Sequence, residues 1–220
     1  MRWTAIAIVS VIALGTATTY AQPALQSGTE NVEKFGWVLK LSKWDRMPID
    51  VCWEDLEGSS ATDRWLVRQA VHTTWEAHSK VRFVGWDTQC TSNSPGIRIA
   101  VRDDVAQVRA LGNYLDKMPR GMILNFTMTK WKPPCKGTRS QCITAVATHE
   151  FGHALGFSHE QNRPDKPDLC REPKQGADGD FTLTEYDEKS IMNYCNAGWT
   201  GLGGLSDRDK AALRSFYGAV

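Results

Sequence analysis

Apolar side chains recur along this chain with two different periods, and the switches between them mark its elements. Met47–Trp53 (MPIDVCW) alternates apolar and polar positions and predicts a strand. The period then lengthens. Val67, Ala70, Val71, Thr74, Trp75 and His78 share one face of a helix predicted over 63–78, with Ser60 to Thr62 offering N-caps. Val81–Trp86 (VRFVGW), Ile97–Val101 (IRIAV) and Met122–Phe126 (MILNF) are short apolar runs that predict strands, the first two rich in β-branched residues. Ala106–Leu115 reads as an irregular edge strand. Gln141–Phe157 predicts a second helix and Ser206–Tyr217 a third, capped by Ser206 with Asp207 and Asp209 in its first turn. Strand, helix, several strands and helix in that order predict an α/β layer around one sheet. An irregular C-terminal lobe from 158 onward follows, and a cleft between the lobes is the default place for a site.

The ends and the cysteines address the compartment. Arg2 precedes an apolar run, Ala5–Leu14, and small residues follow, with Thr19 and Ala21 at the −3 and −1 positions of a cleavage point. That is the pattern of a secretory signal peptide over 1–21, and the run is about half of the ~20 residues a membrane span needs. Residues 22–40 read as a pro-segment or N-terminal arm, and 41–220 as one domain with an N-lobe to about 157 and a C-lobe over 158–220. Six cysteines, all beyond the leader, favour three disulfides. Chain position suggests Cys135–Cys142 and Cys170–Cys195, leaving Cys52–Cys90. With 26 basic and 25 acidic residues the net charge is +1, which removes the electrostatic case for nucleic acid or a polybasic membrane contact.

The chemistry is concentrated in Thr148-His149-Glu150-Phe151-Gly152-His153-Ala154-Leu155-Gly156-Phe157-Ser158-His159-Glu160. Residues four apart share a helix face, so His149 and His153 can hold one ion from the same side. His159 lies about 15 Å beyond His149 if the helix continues at 1.5 Å per residue, so the chain must reverse between them. Gly156 is the residue able to take positive φ there. Three imidazoles and an open position make a catalytic zinc site, whereas structural zinc is closed by four ligands, usually thiolates. Glu150 sits about 100° around the helix from His149, facing a water at the ion rather than the ion itself, the position of a general base. It is also the only acidic or basic residue other than histidine from Gln141 to Ser158, and a carboxylate buried alone there would cost several kcal/mol. His72 and His78 are assigned to packing or the surface.

The run HEFGHALGFSHEQNRPD resembles the extended zinc signature of the metzincin peptidases, and its continuation through Arg163-Pro164-Asp165 resembles the astacin family specifically. Tyr186–Tyr194 (YDEKSIMNY) is similar to that family's methionine turn, with Met192 as the turn methionine; Leu205–Tyr217 resembles its closing helix. The resemblance implies an α+β metzincin-like fold: a twisted, mostly parallel sheet with an antiparallel edge strand, two long helices in the N-terminal lobe and an irregular C-terminal lobe. It also implies one catalytic Zn²⁺ held by His149, His153 and His159, with Glu150 catalytic. Tyr194 would ligate zinc at rest and stabilise the oxyanion during turnover. Asn193 stands where astacins usually have histidine, and the cysteine framework differs from the usual astacin pairing. In the family the glutamate matching Glu160 contacts the mature N-terminus; its simpler partner here is Arg163.

The expected activity is a secreted zinc endopeptidase acting on protein or peptide substrates. An extended substrate is expected to pair with the edge segment around Gly112–Leu115. Two alternatives are an inert binding or adhesion module on the same scaffold and a zinc amidase acting on cell-wall peptides. Two further patterns are an Asn125-Phe126-Thr127 glycosylation sequon and a calcium-loop-like Asp178-Gly179-Asp180. Oligomeric state and cleavage preference leave no trace in the sequence.

Overall fold

A computed structural model describes residues 36–129, 137–196 and 204–220. Residues 1–35, which include the expected leader and arm, and Cys135 lie outside them.

The central sheet is built from β2 (Ile49–Trp53), β3 (Phe83–Val84), β4 (Ile97–Val101), β5 (Gln107–Val108) and β6 (Met122–Leu124), in the order β3-β2-β4-β6-β5. The first four strands in that order run parallel, and β5 pairs antiparallel with β6 at the edge, with Val108 opposite Met122. β4 is buried along Ile97, Arg98, Ile99 and Ala100, so its reading as a continuous apolar run fits a strand covered on both faces. Its one cation, Arg98, is matched by Glu54, which accepts from Nε at 3.0 Å and from Nη2.

Helix α1 (Ala61–Val71), capped by Ser60, runs into a π-type turn at His72–Glu76 and packs along α2 (Arg139–Ala154). The first turns of the two helices are joined by Arg139, whose Nη1 donates to Asp63 Oδ1 at 2.8 Å. The helix predicted over 63–78 is therefore a shorter α-helix with a widened last turn, which buries Thr74 and Trp75. Helix α2 begins two residues before its predicted start because Thr138 and Gln141 form a reciprocal capping box.

The C-terminal half carries little regular structure, as its composition implied, but it is tied down twice. β1 (Trp37–Val38) pairs antiparallel with β7 (Phe181–Thr182), a two-residue ribbon too short to show periodicity. Helix α3 (Asp207–Tyr217), capped by Ser206, buries Ala212, Leu213, Phe216 and Tyr217. Disulfides join Cys52 to Cys90 and Cys170 to Cys195, and Cys142 is also disulfide-bonded.

One sequence expectation needs correction, and one open pattern gains a structural setting. Gly112–Leu115 is a 3-10 turn, not part of an edge strand; the strand itself stops at Val108. Asn125 is 1% exposed, and its Nδ2 donates to Asp103 Oδ1 and the Asp104 carbonyl while Oδ1 accepts from the Thr127 and Met128 N–H groups. The sequon asparagine thus braces a turn, with the nitrogen a glycan would need already engaged.

Candidate active site

The two histidines of α2 are placed by how that helix ends. Leu155 is its C-cap and Gly156 takes φ +95°, a region open to glycine at little cost. Gly156 N–H then donates to the His153 carbonyl at 2.9 Å and Phe157 N–H to the Gly152 carbonyl at 3.0 Å, the paired bonds of a Schellman motif. A Cβ on Gly156 would fall 2.6 Å from Ser42 Oγ, so the turn needs both the torsion and the missing side chain. Carbonyls left over at the helix end are taken by distant groups. Trp44 Nε1–H donates to Ala154 O at 2.8 Å, Tyr217 O–H to Leu155 O at 2.8 Å and Leu39 N–H to Gly156 O at 3.0 Å. The reversed chain bonds β1 through Ser158 N–H and the Trp37 carbonyl at 2.8 Å, and this leads His159 back over the helix.

His149, His153 and His159 are all buried and form the metal-capable cluster found among the described residues. Each imidazole donates Nδ1–H to a backbone carbonyl: His149 to Ile191 at 2.8 Å, His153 to Phe157 at 2.7 Å and His159 to Gln175 at 2.9 Å. That fixes one tautomer for all three and leaves every Nε2 unprotonated. The Nε2 atoms nevertheless approach to 3.2 Å (149 to 159) and 3.1 Å (153 to 159). Two lone pairs at hydrogen-bond distance repel unless a cation lies between them. Tetrahedral zinc with bonds of roughly 2.0–2.1 Å sets adjacent nitrogens about 3.3 Å apart, so the donor set fits that ion. Burial, with the neighbouring imidazoles, holds all three rings neutral: His149 down to about 3, His153 well below its ordinary value, and His159 lowered by burial.

Glu150 is 3% exposed, and burial pushes its carboxyl up to about 8, against an opposing hydrogen bond from the Val108 backbone of β5. Its Oε2 is buried without a hydrogen-bond partner. A buried carboxylate oxygen in that state, one residue from a histidine of the cluster, suits a group that takes protons from a water. Tyr194 covers the cluster, its ring 5.3 Å from that of His149 at 20° and 4.6 Å from that of His159. Burial raises its pKa above the usual phenol range, keeping the hydroxyl a donor. Tyr194 N–H is held by Gln161 Oε1 at 3.1 Å.

The three histidines and the Tyr194 ring lie together, Glu150 is on the helix that carries two of those histidines, and His72 pairs with Glu76. Glu160 does pair with Arg163, at 3.3 Å and buried. Asn193 is buried and donates from Nδ2 to Tyr186 Oη and the Asp187 carbonyl, bracing the methionine turn from within. In the candidate calcium loop, Asp180 Oδ1 accepts from Lys40 N–H and Asp178 pairs with Lys174. Sequence reasoning missed the three carbonyls, which leave no side-chain trace, and Gly152. A Cβ there would meet Met192 Sδ at 2.4 Å and Trp75 Cζ2 at 3.0 Å, so Gly152 is what lets the methionine turn lie against α2. The hint was available: an interior helix glycine costs about 1 kcal/mol against alanine and needs a packing reason.

Residues 138–201 match the family model Astacin, which describes a family of peptidases. Among curated proteins, the zinc metalloproteinase nas-30 of Caenorhabditis elegans is 36% identical over 69 residues, covering 25% of this chain and 9% of that protein. Blastula protease 10 of Paracentrotus lividus is 38% identical over 69 residues, covering 25% of this chain and 12% of its own length. The chain thus spans roughly a tenth of these relatives. Among solved structures, myroilysin superposes with a TM-score of 0.57 over 83% of this chain and 98% of its own at 20% identity. The hatching enzyme zinc-protease HCE-1 of the medaka Oryzias latipes does so with 0.53 over 82% and 96% at 18% identity. At those identities the superpositions speak for the fold. Over residues 138–201, the segment that carries the three histidines, the chain matches the astacin peptidases, and over most of its length it shares the fold of myroilysin and the hatching enzyme.

Proposed function

We propose that this protein is an exported zinc-dependent endopeptidase. The observation that carries the reading is the set of three Nδ1–H bonds to backbone carbonyls, which leaves three buried Nε2 atoms close to one another. Bound there by His149, His153 and His159, zinc supplies Lewis acidity that polarises a carbonyl and lowers the pKa of water towards ~7.

The remaining chemistry belongs to the chain. Glu150 accepts the proton of the attacking water and returns it to the leaving amine. Tyr194 donates a hydrogen bond to the oxygen on which charge develops. β5 lies at the sheet edge, and Val108 on it bonds Glu150, so an extended peptide laid along β5 passes the carboxylate. This replaces the 112–115 segment as the docking edge. Disulfides among the described residues suit an oxidising compartment, in keeping with the leader over 1–21. No helix among the described residues is long and apolar enough to cross a membrane.

The test uses Glu150→Ala. It is expected to bind zinc at near-parental stoichiometry while casein turnover falls by about 10²–10⁴. An active variant would refute the general-base role. A chelator should abolish turnover in the parent, with recovery on added zinc.

A further inference from the structure

One buried carboxylate fastens the methionine turn to α3. Asp209 Oδ1 accepts from Ser190 Oγ–H at 2.6 Å, and Oδ2 accepts the Ile191 and Ser206 N–H groups at 3.0 Å each. Ser190 Oγ in turn accepts the Met192 N–H at 3.0 Å. That N–H belongs to the same peptide unit as the Ile191 carbonyl, which accepts Nδ1–H of His149 at 2.8 Å.

These bonds run head to tail. The imidazole donates to a carbonyl, its peptide N–H donates to a hydroxyl, and the hydroxyl donates to a carboxylate. Each intermediate group both accepts and donates, the condition under which hydrogen bonds polarise one another, and a low local dielectric strengthens the effect. Ser190 is 2% exposed, Ile191 2% and Asp209 8%, so the relay lies out of water. The peptide behind His153 ends differently: its N–H, on Ser158, donates to the neutral Trp37 carbonyl at 2.8 Å. Of these two ligands only His149 is wired to a negative charge.

We propose that Ser190 and Asp209 are positioning residues that act on the bound metal through His149. The carboxylate polarises the Ser190 hydroxyl and the 191–192 peptide, makes the Ile191 carbonyl a stronger acceptor of Nδ1–H, and thereby makes His149 Nε2 the better donor. A carboxylate hydrogen-bonded directly to a ligand histidine has this effect; here a serine and a peptide extend its reach. The inference rests on the proposed zinc site.

The experiment measures zinc affinity of the full protein at pH 7.5 by competition with a chromophoric chelator, with thermal melts alongside. The variants are Ser190→Ala, Asp209→Asn, their combination, Ser190→Thr and Ser206→Ala. Ser206 shares the helix cap, accepting Asp209 N–H at 2.9 Å and donating to Asp187, but stands outside the relay. Ser190→Ala and Asp209→Asn should each weaken zinc about 10–100-fold, the size expected for loss of such a partner. The double variant should be no weaker than the worse single one. Ser190→Thr, which keeps the hydroxyl, should hold the parental affinity. Ser206→Ala should lower the melting temperature and leave zinc affinity within about twofold. Cobalt-loaded Ser190→Ala and Asp209→Asn should show a shifted d–d spectrum. Parental affinity in both relay variants would overturn the proposal, as would an equal loss in Ser206→Ala, which would mean general loosening. If Asp209→Asn fails to fold, Ser190→Ala, an uncharged change, still decides. A parent that binds no zinc would instead overturn the metal site, and the relay with it.

Discussion

Ring packing places Tyr194 over the histidine cluster. Its ring is stacked on His149 and tilted over His159, and burial keeps its phenol protonated. Tyr194→Phe preserves the stacking and removes the donor. Turnover should fall about 10²–10³-fold with KM within about twofold; a change mainly in KM would count against oxyanion binding. Glu150 yields a second, pH-dependent outcome. Its carboxyl titrates near 4.5 when unfolded and about 8 in the metal-free fold. The folded state therefore binds the extra proton in that window, and the group's contribution, full below pH 4.5, is lost as pH rises through 8. Metal-free Glu150→Gln should gain on the parent as pH rises from 5 to 8, by at most ~1.4 kcal/mol per unit, in urea unfolding. The histidines and Glu150 were legible as letters, because chemistry at a zinc site demands those side chains at that spacing. Ile191, Phe157 and Gln175 were not, because they contribute a carbonyl that any residue owns.

At the scale of elements, the end of α2 decides whether His159 can join His149 and His153. Gly156 combines φ +95° with a Cβ position 2.6 Å from Ser42 Oγ. Gly156→Ala should therefore cost about 1–3 kcal/mol in denaturant unfolding and weaken zinc binding together with it. A variant of parental stability would show that the reversal tolerates a side chain. This turn was readable in advance because the distance argument required a reversal and only one residue in reach could make it. The start of α2 at Arg139 followed from a capping pair, Thr138 and Gln141, that the apolar pattern does not display. β1 and β7, two residues each, carry no period at all; they exist because Trp37 and Val38 find Thr182 and Phe181 across long sequence separation. The segment 106–115 has strand-like letters throughout, yet only Gln107–Val108 pairs, since the chain then closes a 3-10 turn at Gly112–Leu115.

Across the whole molecule, the irregular lobe is held by a few covalent and polar ties rather than by a sheet. Cys195 follows Tyr194 directly, and Cys170 lies five residues before Gln175, the acceptor for His159. Replacing both Cys170 and Cys195 by serine should cost about 2–4 kcal/mol and lower turnover more than tenfold, with the far-ultraviolet dichroism of the sheet and helices retained. Retained turnover would show that the loop is held without the crosslink. The strands and the three helices could be foreseen from periodicity and the mostly parallel sheet from the family resemblance, while the ties of this lobe depend on partners far apart in the chain. The caps on the end of α2 come from such partners: Trp44 near the start of the described chain and Tyr217 in its last helix. Asp209, on the same last helix, holds Ser190 and Ile191. The last helix therefore closes both the end of α2 and the turn behind His149, so shortening the chain before residue 207 removes supports from both sides of the proposed metal site.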